Sequence, residues 1–254
     1  MTDDQKDRQS DVKTVALFAT CLVDLMRPNV GFASACLLEQ AGYDVVVPEG
    51  QTCCGQPAYN GGDRRSARRA ARHTMAILEG YDYVVVPSGS CAAMICKHYP
   101  ALFSKGGGDY RRAMELSERT YELTTFLRDV AQYAPNVTLE NETITYHDSC
   151  AGLRELHIQS QPRDLLNSCE GIRLAEMNKP DTCCGFGGTF CIKYPDISDR
   201  LVERKAEDIV ATGATRVVAG DVGCILNMEG KLHRQGASVS VSHVAEILAG
   251  MVED

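Results

Sequence analysis

A cysteine pattern that occurs twice limits what this chain can fold into. In the first half Cys21 is followed by the adjacent pair Cys53 and Cys54, then Gly55, then Cys91; in the second half Cys150 is followed by Cys183, Cys184, Gly185 and Cys224. The intervening stretches are 31 and 36 residues in the first copy and 32 and 39 in the second. Cysteines so far apart meet only if the fold itself brings them together. Thiolate is the donor that favours iron–sulfur clusters, zinc and copper(I). Two copies of the pattern therefore predict two thiolate-rich sites, one per half.

The residues between the cysteines repeat one order of elements. Apolar, β-branched runs at 13–20 and 143–147 lead into Cys21 and Cys150. Helical stretches follow at 31–40 and 163–168, short strands at 44–47 and 172–176, and longer helices at 64–78 and 197–211. In the last of these, Ile197, Leu201 and Ile209 share one stripe. Buried strands at 83–87 and 216–219 end just before Cys91 and Cys224. Strands alternating with helices imply parallel sheets with right-handed crossovers. The expected fold is α/β, with two homologous Rossmann-like halves, 12–135 and 136–254, related by a pseudo-twofold; the segment 106–135 bridges them. The repeated cysteines follow the carboxyl ends of strands, the edge at which open α/β sheets bind ligands.

The adjacent pair narrows the metal. Neighbouring Cα atoms lie about 3.8 Å apart, and in extended backbone their side chains point to opposite faces. Two such thiolates are poorly placed for two corners of one tetrahedral zinc and better placed for different irons of a larger cluster. Zinc sites more often use a two-residue spacer. The pair thus favours a multi-iron cluster and leaves zinc as the alternative. The glycine after each pair supplies a positive φ or a close approach of backbone to an inorganic ion. Cys36, Cys96, Cys169 and Cys191 have no counterpart in the other half and read as small hydrophobes, Cys191 being the one closest to a pair.

Composition removes other classes. A net charge of −8 disfavours nucleic-acid binding, and the absence of Trp with only 6% aromatics leaves no base-stacking surface. No stretch approaches the roughly 20 apolar residues of a transmembrane segment. The polar segment Met1–Asp11 lacks the apolar core of a secretory signal and is expected to fray. A cytoplasmic location follows, where thiols stay reduced, so twelve cysteines read as ligands or redox groups sooner than as disulfides. There is no P-loop, no G-x-S-x-G and no compact ferredoxin run, and Gly185-x-Gly187-Gly188 reads as a turn rather than a dinucleotide fingerprint.

The duplicated pattern resembles the cysteine-rich CCG domain found in heterodisulfide reductases, in the iron–sulfur component of glycolate oxidase and in lactate utilization protein A. The run His147-Asp148-Ser149-Cys150-Ala151-Gly152-Leu153-Arg154-Glu155-Leu156 resembles the lactate utilization A branch. So do Cys183-Cys184-Gly185-Phe186-Gly187-Gly188-Thr189-Phe190-Cys191 with Lys193-Tyr194-Pro195, and Ser88-Gly89-Ser90-Cys91-Ala92-Ala93-Met94. The likeness runs from about Val15 to Val252. It implies an iron–sulfur electron-transfer subunit in the oxidation of L-lactate to pyruvate, acting with lactate utilization proteins B and C. One or two 4Fe-4S clusters would be held by Cys21, Cys53, Cys54 and Cys91 and by Cys150, Cys183, Cys184 and Cys224, with zinc in one half as the alternative. The reductase carries Cys-x-x-Cys at the last position of each motif; here the second residue is Met94 or Asn227. Four thiolates still suit an ordinary 4Fe-4S cluster. The departure counts against a noncubane cluster and disulfide-cleaving chemistry, not against metal binding; the alternatives are a thiol–disulfide reductase subunit of the heterodisulfide type and a zinc-stapled scaffold that only assembles partners.

Three further residues are weak catalytic candidates. His147 and Asp148 stand beside Cys150 at a strand end, where they would move protons or else hold a loop by hydrogen bonding. Arg154 would bind a substrate carboxylate or else form a surface ion pair. The basic run Arg64, Arg65, Arg68, Arg69 and Arg72 is either a docking face for an acidic partner or a solvated helix face.

Overall fold

Valine-rich runs build two separate four-stranded parallel sheets in the computed structural model, which describes residues 12–252. The first sheet contains β1 (Thr14–Leu17), β2 (Asp44–Val46), β3 (Tyr83–Val86) and β4 (Thr120–Glu122), in the order β2-β1-β3-β4. The second contains β5 (Thr138–His147), β6 (Glu170–Leu174), β7 (Arg216–Ala219) and β8 (Ser240–His243), in the order β6-β5-β7-β8. The inner strands β3 and β7 are apolar over most of their length because helices cover both faces, as parallel sheets require. Val84, Val85 and Val86 are fully buried, and so are Val217, Val218 and Ala219.

The helices dock the halves reciprocally. The helix Cys21–Met26 of the first half packs on Val222–Arg234 of the second, while Cys150–Glu155 of the second packs on Gly89–Ala93 of the first. In the same way Pro28–Gln40 meets Val244–Leu248, and Ser160–Asn167 meets Leu123–Thr125. Swapping the halves exchanges each contact for its mate, which is the mark of a pseudo-twofold. A central core crosses the interface and joins Val15, Leu37 and Phe126 to Ile144, Leu165 and Val244. Each half also has an outer core, and each outer core contains two of the repeated cysteines: Cys54 and Cys91 in one, Cys184 and Cys224 in the other.

Three details depart from the sequence reading. The segment 106–135 is more than a bridge: it forms the helix Gly108–Glu118 and then β4, which completes the first sheet. The strands β4 and β8 carry Thr-Tyr-Glu and Ser-Val-Ser-His, too short and polar to register as apolar runs. On the helix Pro195–Ala211 the inward face is Ser198, Val202, Lys205, Ala206 and Ile209, and Ile197 is exposed. Polar residues won that face because the loop beside it offers bare carbonyls: Ser198 Oγ donates to Gly185 O at 2.9 Å, and Lys205 Nζ donates to Lys179 O and Pro180 O at 3.0 and 3.1 Å. The polar segment Met1–Asp11 lies outside the described residues.

The edge strands β4 and β8 each end in a helix cap, Glu122 and His243. His243 Nδ1 accepts from Ala245 N at 3.1 Å, and Glu246 returns the bond by accepting from His243 N at 2.7 Å. Burial of this ring lowers its pKa from 6.5 to about 4. Between those values the unfolded chain binds a proton that the folded chain refuses, so stability is lost as pH falls from 6.5 towards 4. At pH 4.5 the expected loss from His243 is about 2 kcal/mol relative to neutral pH. Urea titrations of the wild type and His243→Asn, whose amide keeps a capping acceptor, should diverge by that amount. Parallel pH profiles would count against it.

Candidate metal centre

The eight repeated cysteines all line one cavity of about 360 Å³ between the two halves. The sequence predicts two separate sites; the structure opens both sets of four onto the same space. It does so because reciprocal docking turns the carboxyl edges of the two sheets towards each other. All twelve cysteines are free thiols.

Four of the eight sit at the starts of helices. Cys21 and Cys150 are the first residues of their helices, behind Thr20 and Ser149, whose hydroxyls accept from Val23 N and Gly152 N at 3.4 and 3.3 Å. Cys91 and Cys224 are third in theirs, behind Ser88 and Asp221, which accept from Cys91 N and Gly223 N at 3.3 and 3.2 Å. Partial positive charge at such ends favours thiolate. Asp221 also reaches across the interface, accepting from Ser88 Oγ at 3.1 Å and Ser90 N at 3.0 Å, so one carboxylate ties the two halves together at the cavity wall. Thr, Ser or Asp just before a helical cysteine is an N-cap signal that the sequence itself carries.

The adjacent pairs are held differently. Cys53 Sγ accepts from Gly55 N at 3.4 Å and Cys183 Sγ from Gly185 N at 3.3 Å. The carbonyl of Cys54 accepts from Tyr99 Oη at 2.8 Å, and that of Cys184 accepts from Asn227 Nδ2 at 2.7 Å. Asn227 stands where the reductases have a second cysteine, and its task here is to brace the pair. The glycines have φ of +88° and +83°. Each comes close to a helix: a Cβ on Gly55 would lie 2.9 Å from Ala70 Cβ, and one on Gly185 would lie 2.6 Å from Ser198 O.

Proton sharing follows the same symmetry. Hydrogen bonds from Cys21 and Cys54, reinforced by Gly55 N, hold the pKa of Cys53 down to about 2. Those from Cys150 and Cys184, with Gly185 N, do the same for Cys183. The donating thiols Cys21, Cys54, Cys150 and Cys184 are raised, first by those bonds and then by burial. Each half thus concentrates negative charge on one sulfur among thiols, and a metal would bind by releasing their protons. Cys54 and Cys91 Sγ lie only 3.3 Å apart. Four soft donors per half around a shared cavity fit a thiolate-ligated iron–sulfur centre.

The remaining candidates separate. His147 is fully buried, neither ring nitrogen has a hydrogen-bond partner among the described residues, and burial pushes its pKa down to about 3. One of its nitrogens lies within 4.8 Å of Cys184 Sγ and Cys224 Sγ. Asp148 turns the other way and takes both arms of Arg163, at 2.8 and 2.9 Å. Arg154 does not line the cavity and donates to Asp181 O at 3.3 Å. Cys191 Sγ points to Gly188 O at 3.3 Å and is not part of the lining, and Cys169 is buried against Leu165. Within the basic run, Arg68 Nε donates to Leu102 O, Arg72 pairs with Asp109 and Arg64 covers the Tyr59 ring, so three of the five arginines serve the first half itself. At the cavity mouth His98 and Glu155, one from each half, meet at 2.6 Å. No helix among the described residues is long and apolar enough to cross a membrane.

Known proteins match this arrangement over nearly its whole length. The model of the CCG cysteine-rich domain family matches residues 15–96 and 144–229, one copy per half. Lactate utilization protein A of Shouchella clausii is 43% identical over 92% of this chain and 98% of its own. That of Macrococcus caseolyticus is 42% identical over 94% and 97%. Lactate utilization protein A 2 of Bacillus cereus strain AH820 is 41% identical over 92% and 97%. Among solved structures, a hypothetical protein from Helicobacter pylori shares the fold, with a TM-score of 0.61 at 11% identity, over 95% of this chain and 49% of that one. With two CCG domains and this identity along the chain, it belongs to the lactate utilization protein A family.

Proposed function

We propose that this chain is the iron–sulfur electron-transfer subunit of a cytoplasmic complex that oxidises L-lactate to pyruvate, with lactate utilization proteins B and C as its partners. The observation that carries the reading is the convergence of eight free thiols, four from each half, on one cavity. The halves 12–135 and 136–254 would each supply four ligands: Cys21, Cys53, Cys54 and Cys91 from the first, and Cys150, Cys183, Cys184 and Cys224 from the second. When bound, the iron–sulfur centre supplies one-electron storage. The chain's own part is to keep one sulfur of each half poised as thiolate, to exclude water with its apolar outer cores, and to hold four of the sulfurs on capped helix starts. Lactate enters the reading through the family, since no lysine or arginine lines the cavity to receive a carboxylate.

Two measurements test the two levels. Protein purified anaerobically is expected to contain iron and acid-labile sulfide; zinc without sulfide would end the redox reading and leave the scaffold. A deletion strain lacking any redundant pathway is expected to fail on L-lactate as sole carbon source and to recover when the gene is restored. Normal growth would remove the lactate assignment while leaving the cluster intact.

A further inference from the structure

The two halves match closely around their cysteines, yet three matched positions differ in kind. Counting back from the caps Thr20 and Ser149, the strand ends pair Phe18 with His147 and Ala19 with Asp148. Phe18 is buried in the core that contains Cys54 and Cys91, and His147 has a ring nitrogen within 4.8 Å of the Cys184 and Cys224 sulfurs. The long helices align through their glycine contacts: Gly55 presses on Ala67 and Ala70, Gly185 on Ser198 and Leu201. That alignment pairs buried Thr74 with buried Lys205. At these matched buried positions the first half has a phenyl ring and a threonine, and the second an imidazole and an ammonium.

Both second-half groups lack what a buried polar group requires. Lys205 donates to Met177 Sδ, Lys179 O and Pro180 O, which uses all three ammonium protons, but among the described residues it meets no carboxylate at salt-bridge distance. The other buried cations among the described residues, Arg216 and Lys231, each have one. Asp148, the buried carboxylate next to His147 in the chain, is already paired with Arg163. Burial works against the charge of Lys205 and is only partly offset at longer range, first by Asp208 one turn on and then by the sulfur of Cys184; that charge in turn acts on His147 and Cys224. Neutral His147 offers one N–H with no acceptor in the protein. An anionic sulfur centre supplies both wants at once.

We propose that the two halves hold unequal redox centres, and that His147 and Lys205 set the second-half centre at the higher potential and make it the electron sink of the pair. The proposal rests on the cluster reading above. Reduction adds negative charge; a buried cation and an imidazole ring beside the sulfurs, with an N–H to give, stabilise that charge, whereas Phe18 and Thr74 do so much less. One electron leaves the first-half centre and one enters the second, with no proton or further reactant consumed.

The test is a redox titration followed by electron paramagnetic resonance on the full chain, loaded anaerobically with iron and sulfide. His147→Phe and Lys205→Met are each expected to lower the midpoint of one centre, leaving the other midpoint and the iron content unchanged. Lys205→Arg should retain the wild-type midpoint, and Phe18→His should raise the lower one. Fully loaded variants with unmoved midpoints would overturn the proposal, as would an equal shift in both centres. If Lys205→Met does not fold, His147→Phe carries the test, because Phe18 shows that the matched position of the first half accepts a phenyl ring. A wild type without iron or sulfide refutes the underlying reading instead, and does so before any variant is made.

Discussion

Serine in place of Cys184 is expected to remove about half of the bound iron and acid-labile sulfide while the chain stays folded, if each half holds one Cys₄-ligated cluster. The side chain is 3% exposed and faces the cavity from the second outer core. Serine is close to isosteric, and the backbone at this point is fixed from outside by Asn227 on the Cys184 carbonyl. The fold therefore keeps its support. The metal loses a soft donor, because an alkoxide is far harder to form than a thiolate. Cys191→Ser is the matched control: it lies close by in the chain, but its sulfur faces Gly188 O, so iron content should not change. Iron and sulfide per chain, with the thermal midpoint of each variant, decide the matter. Complete loss of iron in Cys184→Ser would mean one centre shared by both halves. Unchanged iron would remove Cys184 from the ligand set, and equal losses in both variants would make the effect non-specific.

The cysteines were legible in the sequence because spacing survives duplication. A repeated interval reports that two halves fold alike, and strand ends before Cys21, Cys91, Cys150 and Cys224 report which edge of each sheet carries ligands. How the halves dock is not written in any interval. The single cavity depends on side-to-side contacts such as Gly89 against Gly152, where a Cβ on Gly89 would come within 3.1 Å of the Gly152 Cα. Two lone glycines in short helices carry no periodic signal. Lys205 was hidden for a related reason. Pattern reading assigns lysine to the solvent side of a helix, and here it is drawn inward by two loop carbonyls that only the tertiary fold brings near. The edge strands β4 and β8 escaped because three or four residues of mixed polarity are below what alternation can resolve. By contrast His147 and Asp148 were visible as a pair, yet nothing in their spacing announced opposite fates. Strand alternation accounts for them: successive side chains at the end of β5 leave on opposite faces, one towards the sulfurs and one towards Arg163.

Removing Arg163 should destabilise the protein by about 3–5 kcal/mol, the usual cost of stranding one member of a buried ion pair. Asp148 has a side chain only 1% exposed, and both its oxygens are taken by one guanidinium in a parallel fork. The same guanidinium holds Glu176 at 2.7 and 3.0 Å and lies over the Tyr146 ring. Burial works against the charge of Arg163, but the two carboxylates outweigh it and raise its pKa. In Arg163→Met the aliphatic stem can still cover Tyr146, so the loss is mainly electrostatic: Asp148 must either stay charged without a partner or take up a proton. Glu176 is about half exposed and returns to water at little cost. For a chain of this length the expected fall in Tm is about 10 °C. Arg163→Met with Asp148→Asn should recover most of it, because an amide is far cheaper to bury than a carboxylate. The double variant also separates stability from ligation. Asp148 lies just before Cys150 in the chain, and the ion pair fixes the turn that presents this thiol. If the double variant regains Tm but binds iron more weakly, the pair also aims the ligand. If it regains both, the pair serves the fold alone. If Arg163→Met melts like the wild type, Asp148 is not the stranded charge that this geometry makes it.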